Sequence, residues 1–140
     1  MGRYLVVANK TLAGGHLVST LRRLSAREPC HFHVLVPATP PPDHMWTEGE
    51  ARGIAQRRLD TALERFRELD PEVGGEVGDE HPVQAIQDVF DRGEGFDGII
   101  LSTLPPGISR WLKLDLLHRV ESAFGLPVIH VVGAREDVVV

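Results

Sequence analysis

A chain of 140 residues that is 42% hydrophobic and 25% charged has the size and composition of one globular domain, predicted to span residues 1–140 with a C-terminal tail at 133–140. Its formal net charge of −5 argues against nucleic acid or an anionic membrane as a partner. Cys30 is the single cysteine, which excludes a disulfide framework and a cysteine-based metal site. Met1 leads directly into an apolar run, and no apolar run approaches the length of a membrane span, so we expect a cytoplasmic protein.

Short apolar runs alternate with amphipathic segments along the first half of the chain. The predicted elements are a strand at Tyr4–Ala8, a loop at Asn9–Gly15, a helix from about Gly15 to Arg27 that Pro29 ends, and a strand at His31–Val36. Four prolines in ten residues exclude regular structure from Pro37 to Trp46. Thr47 then provides an N-cap for a long helix, with Glu50 three residues on in a capping box.

The second half continues the alternation, with glycines and prolines at the boundaries. Its predicted elements are a weak edge strand at Glu72–Val77, a turn at Gly78–His81, a helix that begins near Pro82, a strand at Asp97–Leu101, a further helix, and a strand at Pro127–Val132. The apolar face of that further helix is predicted to consist of Leu112, Leu116, Leu117, Val120 and Phe124. Strands separated by helices imply parallel pairing with right-handed crossovers and helices on both faces. The fold class is therefore α/β, a Rossmann-like open parallel sheet in a three-layer α/β/α arrangement.

The loop after the fourth strand is the segment most indicative of a ligand. Ser102 and Thr103 end the strand, and Leu104-Pro105-Pro106-Gly107 follows. In an open α/β sheet, ligands bind at the carboxyl ends of the strands. A loop that cradles phosphate uses backbone N–H groups, and proline has none. The segment therefore predicts where a ligand would bind and a reduced affinity for phosphate.

Several residues at these strand ends have two interpretations each. Asn9-Lys10-Thr11 is either a ligand-facing loop or a plain turn, and Ser102-Thr103 either binds phosphate or satisfies nearby backbone. Arg110 either contacts an anion or is an exposed arginine at a helix start. Gly14-Gly15 either binds an anion or makes a tight turn, and the turn is favoured.

Signatures of metal binding and catalysis are weak. His31 and His33 share a strand face, but two histidines without a third ligand do not indicate a metal site. His130 in the last strand is a candidate for a dimer interface. The sequence contains no nucleophile elbow, no Walker phosphate loop and no G-x-G-x-x-G. We therefore expect no metal ligands and no catalytic residues.

Three stretches together resemble the universal stress protein family. They are RYLVVANKT, VGDEHPVQAIQDVFDRGEGFDGIILST and the run from Ser102 to Val132. The positions that fit the family pattern are Gly78, Asp79, Ala85, Ile86, Asp97, Pro127 and Val128. The resemblance covers Arg3 to Val132 and implies a five-stranded parallel sheet of order 3-2-1-4-5. It also implies homodimers through the last strand, Pro127 to Val132, and ATP or AMP at the carboxyl ends of strands 1 and 4. The apolar character of the last strand independently favours a paired or covered edge.

The sequence departs from the nucleotide-binding branch of that family where phosphate is held. That branch has Gly-x-x-Gly after strand 4, where this chain has Ser102 and Pro105, and an acidic residue after strand 1, where it has Asn9. We therefore predict a dimeric, non-enzymatic stress-response or regulatory module with a degenerate nucleotide site and no assigned cofactor. The alternatives are an adenine-nucleotide (ATP or AMP) binding protein with a variant loop and, third, a small nucleotide hydrolase that uses Thr103 or Lys10. The residues predicted to form the ligand site are Ala8, Asn9, Lys10, Thr11, Val36, Ser102, Thr103, Gly107, Ser109 and Arg110.

Overall fold

The computed structural model describes residues 2–12, 14–40, 45, 47–105, 109, 111 and 115–133. In these ranges the strands are β1 (Gly2–Val7), β2 (Cys30–Pro37), β3 (Gly74–Gly78), β4 (Gly98–Thr103) and β5 (Val128–Val132). The helices are α1 (Gly15–Arg27), α2 (Glu48–Phe66), α3 (Pro82–Asp91) and α4 (Leu116–Phe124). The five strands form one parallel sheet in the order β3-β2-β1-β4-β5. The predicted α/β class and strand order are thereby confirmed.

The central strands β1 and β4 divide their side chains between two apolar cores. Because successive side chains of a strand point to opposite faces, Val6 and Ile100 pack into the core that α1 and α2 cover. Leu5, Val7 and Ile99 pack into the opposite core, which α3 and α4 cover. All of these side chains are fully buried, as is typical of parallel strands covered on both faces. The three-layer arrangement follows from this double burial.

Three strands, β2, β3 and β4, run further at their carboxyl ends than the sequence predicts, and these expected boundaries were wrong. Pro37, predicted to open an irregular loop, is the last residue of β2 and pairs with Gly78 of β3. Ser102 and Thr103, which follow the strand predicted at Asp97–Leu101, are the last residues of β4 and pair with β5. Neighbouring strands supply hydrogen-bonding partners at these positions, so pairing overrides the local preference of proline and serine for loops. Ser102 and Thr103 are therefore held in the sheet by strand pairing.

The helix boundaries follow the capping signals closely. The hydroxyl oxygen of Thr47 accepts the backbone N–H of Glu50 at 3.1 Å, which confirms Thr47 as the N-cap of α2. Pro82 is the first residue of α3, and Gly125, with a φ of 63°, ends α4 in the left-handed conformation that glycine favours. Leu112, predicted to lie on the last helix, is outside the described residues. Within the described ranges, no helix is both long and apolar enough to cross a membrane.

Candidate functional site

The carboxyl ends of β1 and β4 lie side by side at the centre of the sheet. The strand order reverses between them, because β2 follows on one side of β1 and β5 on the far side of β4. In open α/β sheets such a reversal opens a crevice in which ligands bind. Four of the predicted site residues meet here, and all are more than nine-tenths buried: Asn9 is 8% exposed, Thr11 2%, Ser102 1% and Thr103 2%.

Asn9, the first of these residues, is held by two partners. Its amide nitrogen donates to the carbonyl oxygen of Pro37 at 2.8 Å, across the ends of β1 and β2. Its amide oxygen accepts a hydrogen bond from the guanidinium of Arg58, which comes from α2. Both ends of the side chain are therefore used within the protein. An acidic residue at this position would lack the donor that Pro37 requires.

Thr11 and Ser102 form a second internal pair. Their hydroxyl oxygens are 2.6 Å apart in a buried contact between the loop after β1 and the end of β4. Gly133, the first residue after β5, closes the same region. Its N–H donates to the carbonyl oxygen of Thr103 at 2.8 Å, and a Cβ added to it would lie 2.9 Å from the Thr11 methyl carbon. Thr11 is thus enclosed by protein atoms on the β5 side as well.

Thr103, the fourth buried site residue, is bonded to the neighbouring strand β5. Its hydroxyl donates to the carbonyl oxygen of Leu104 at 3.0 Å and lies 2.8 Å from Nε2 of His130. A threonine hydroxyl has one proton and a carbonyl oxygen can only accept, so both bonds form together when the proton of His130 is on Nε2. His130 is therefore engaged within its own chain. Burial lowers the pKa of His130 below its ordinary value of 6.5, and the charge of Glu121 raises it by a smaller amount.

The lowered pKa of His130 predicts a pH-dependent loss of stability. The unfolded chain binds the proton at a higher pH than the folded chain, so stability is highest above about 6.5. It should fall as the pH drops through that value and level off below the lower pKa of folded His130. We expect His130→Gln to flatten this part of the curve of unfolding free energy against pH, measured by urea denaturation. His118→Gln, at an exposed position on α4, is the control, and equal curves for the two variants would contradict the assignment.

Arg58 is a site residue that the sequence does not reveal. It lies between the buried Ala55 and Ala62, one turn before and after it on α2, and their small side chains leave room for its stem. Burial lowers the pKa of Arg58, and the like charge of Arg57 adds to this effect. The helical pattern predicts that polar residues of α2 lie on its outer face. The only sequence feature that indicates an inward orientation of Arg58 is the small size of Ala55 and Ala62 beside it.

The remaining predicted site residues divide into three groups. Ala8 and Val36 are fully buried, and their side chains belong to the core between the sheet and the α1–α2 layer. Lys10 is partly exposed beside Asn9, whereas Ser109 is buried and its N–H donates to the carbonyl oxygen of Pro105 at 3.0 Å. Gly107 and Arg110 lie outside the described residues. The described part of the site is therefore a closed, internally bonded cluster with lysine and arginine at its margin.

A cavity of about 250 Å³ lies elsewhere, between the start of α2 and the chain that leaves β3. Its polar lining includes Glu48, Asp79, Glu80 and Arg52. The Arg52 guanidinium donates to the carbonyl oxygens of Val77 and Gly78, at 3.2 and 3.4 Å. The excess of acidic groups makes this cavity unsuited to phosphate, and nothing in the sequence marks it as a site.

The two histidines on β2 are occupied by acidic neighbours. Nδ1 of His31 lies 3.2 Å from Oδ1 of Asp70, and Nε2 of His33 lies 2.7 Å from Oε2 of Glu76. Arg92 also bonds to Glu76, and this bond is the largest cause of the lowered pKa of that carboxyl group. Among the described residues, no three histidine, cysteine or acidic side chains are grouped so that they could hold a metal ion.

The parallel order and the central crevice define the class of protein to which this fold belongs: doubly wound α/β domains with a switch point at β1 and β4. Two solved structures share the arrangement along nearly the whole chain. A universal stress protein from Archaeoglobus fulgidus matches with a TM-score of 0.63 and 17% identity, covering 94% of this chain and 93% of that one. A protein of the universal stress protein family from Burkholderia pseudomallei matches with a TM-score of 0.58 and 17% identity, covering 93% and 95%. The chain therefore has the universal stress protein fold.

The similarity is structural and does not extend to sequence families. No family model matches the chain, and no curated protein matches it significantly. At 17% identity the two solved structures establish the fold and leave the function to be argued from the site.

Proposed function

We propose that this chain is a universal stress protein-like, dimeric and non-enzymatic regulatory module whose nucleotide site is degenerate. The observation that carries the proposal is the buried hydrogen-bonding cluster at the ends of β1 and β4. Asn9, Thr11, Ser102 and Thr103 are the side chains best placed to meet a ligand in the crevice, and each is bonded to another group of the protein. A module of this kind would act through its surface and its assembly.

The energetics of the cluster oppose a bound nucleotide. A ligand that entered between Thr11 and Ser102 would have to replace their mutual bond, and a ligand that bound the Asn9 side chain would have to replace its bonds to Pro37 and Arg58. Each neutral bond contributes about 0.5–1.5 kcal/mol, and each bond to a charged group about 1.5–3 kcal/mol. Pro105 provides no N–H with which the adjoining loop could compensate. The same bonds that stabilise the fold thus reduce the affinity for a triphosphate.

The second candidate function is adenine-nucleotide binding in a different pose. The observation in its favour is the positive charge of Arg58 and Lys10 beside Asn9, which would attract phosphates to the rim of the crevice. In this pose the base and ribose would lie outside the buried cluster. A third candidate, nucleotide hydrolysis by Thr103, is disfavoured because the residue is 2% exposed and its hydroxyl is already bonded to His130.

Thermal denaturation with adenine nucleotides tests the choice between the first two candidates. We expect neither ATP nor AMP at micromolar concentrations to raise the melting temperature. A ligand present at a hundred times its Kd would stabilise the fold by about 2.7 kcal/mol, which is easily measured. Saturable stabilisation by micromolar ATP would favour the nucleotide-binding candidate and contradict the degenerate site.

The dimer is proposed from the edge of the sheet. Within the described residues, β5 pairs with β4 on one side and has no strand on the other. Val132 is 38% exposed, and Val128 and Ile129 are partly exposed, which leaves an apolar edge of the kind that proteins usually cover. We expect light scattering to give the mass of a dimer, and Val132→Lys to shift the equilibrium toward monomer. A monomer at high concentration would refute this part of the proposal.

A further inference from the structure

Arg58 is placed unusually for a charged residue that stabilises a fold. Its guanidinium lies half-buried beside the end of β1, where its hydrogen-bonding partner among the described residues is the neutral amide oxygen of Asn9. No ion pair or second hydrogen bond joins Arg58 to any other described residue. The charge of Arg57 has the same sign and, after burial, adds to the lowering of the pKa of Arg58. A partly desolvated cation in these surroundings gains from an anion that the described protein does not itself supply.

The guanidinium retains the geometry needed to bind such an anion. It has five N–H donors in a planar fork, and Asn9 accepts one of the two on Nη1. The fork matches two oxygens of a phosphate or carboxylate group, which makes arginine the preferred residue for bidentate recognition. Asn9 in turn is fixed by Pro37, so the guanidinium is steadied from one side while its other donors remain. Lys10, the residue after Asn9 in the chain, is partly exposed and carries a second positive charge near this strand end.

We propose that Arg58 binds a small oxyanion of the phosphate type at the rim of the crevice, with Lys10 as a secondary contact. The inference rests on the proposed function, because it takes the crevice beside Arg58 to be closed to a nucleotide by its internal hydrogen bonds. The ligand is small, since the buried cluster of Asn9, Thr11 and Ser102 closes the space where a base and ribose would follow. It is either a free oxyanion or the exposed terminal phosphate of a small phosphorylated metabolite.

The test compares the unaltered chain with Arg58→Gln and Arg57→Gln in sodium phosphate and in sodium chloride of equal ionic strength. The two variants lose the same charge from adjacent positions of α2, and Arg57 is exposed. We expect phosphate near ten times its Kd to raise the melting temperature of the unaltered chain and of Arg57→Gln by about 3–6 °C. The rise should be lost in Arg58→Gln. No specific effect of phosphate, or an equal effect in all three proteins, would overturn the proposal.

Nuclear magnetic resonance provides a test that does not depend on the folding of a variant. Phosphate should shift the side-chain amide resonances of Asn9, because that amide is bonded to Arg58. Saturable shifts confined to other regions would overturn the proposal. An AMP titration distinguishes failure of the oxyanion site at Arg58 from failure of the proposed degenerate nucleotide site. Equal affinity for AMP and phosphate supports both proposals. An affinity for AMP more than about tenfold higher contradicts the degenerate site even if binding still requires Arg58.

Discussion

Asn9→Ala is expected to lower the free energy of unfolding by about 2–4 kcal/mol. The change removes the bond to Pro37 and the charge-assisted bond from Arg58 at a position that is 8% exposed. It leaves a carbonyl oxygen and a guanidinium without their partner, and unpaired buried groups bear most of the cost. Urea denaturation monitored by circular dichroism measures the difference.

Lys10→Ala is the matched control for Asn9→Ala. Lys10 is the next residue along the chain and is partly exposed, so its removal should change the unfolding free energy by less than about 0.5 kcal/mol. Equal small effects at both positions would show that the bonds of Asn9 contribute little. In that case the crevice would be free to exchange its internal bonds for a ligand.

Gly75→Ala is expected to lower the free energy of unfolding by about 2 kcal/mol. A Cβ on this residue of β3 would lie 2.7 Å from Cδ1 of Leu59 and 2.7 Å from the carbonyl oxygen of Val34. The leucine side chain can move, but the carbonyl belongs to the neighbouring strand β2 and cannot. Part of the strain is offset by the lower backbone entropy of alanine in the unfolded chain.

Gly53→Ala, on α2, provides the control for the glycine change. Apart from its chain neighbours and the nearby backbone of α2, no described atom lies within 4 Å of a Cβ added at that position, so the substitution should stabilise the helix by about 0.5–1 kcal/mol. Opposite signs for the two glycines, measured by thermal or urea denaturation, would confirm that α2 packs closely on the edge strand. A stabilising effect of Gly75→Ala would contradict that packing.

The fold was largely predictable because its signals are local and repeated. The leucines of α1, the N-cap at Thr47 and the glycine that ends α4 each act within one or two turns of chain. The ends of β2 and β4 were not predictable in the same way. Pro37 and Ser102 have side chains typical of loops, and their strand conformation depends on pairing with Gly78 and Val131, which are distant in sequence.

The location of the candidate site was predictable, but its internal bonding was not. Ligands bind where the strand order reverses, and Asn9 and Ser102 lie at the two adjacent strand ends of that point. This location can be predicted without knowing which groups the two side chains bond to. That Asn9 would bond to Arg58, 49 positions along the chain, depends on the rotation of α2 and on the small residues beside Arg58. The same limitation applies to the bond between His130 and Thr103, which joins β5 to β4 and which the sequence does not indicate.

The most direct test of the degenerate site is a residue-resolved magnetic resonance titration of the unaltered protein with ATP. We predict that the backbone amides of Thr11, Ser102 and Thr103 keep their resonance positions as ATP is raised to millimolar concentration, since Thr11 remains bonded to Ser102 and Thr103 remains bonded to His130. Any perturbation should be confined to the surroundings of Arg58. Saturable shifts of these three amides at micromolar ATP would show that the cluster opens for a nucleotide and would contradict the account.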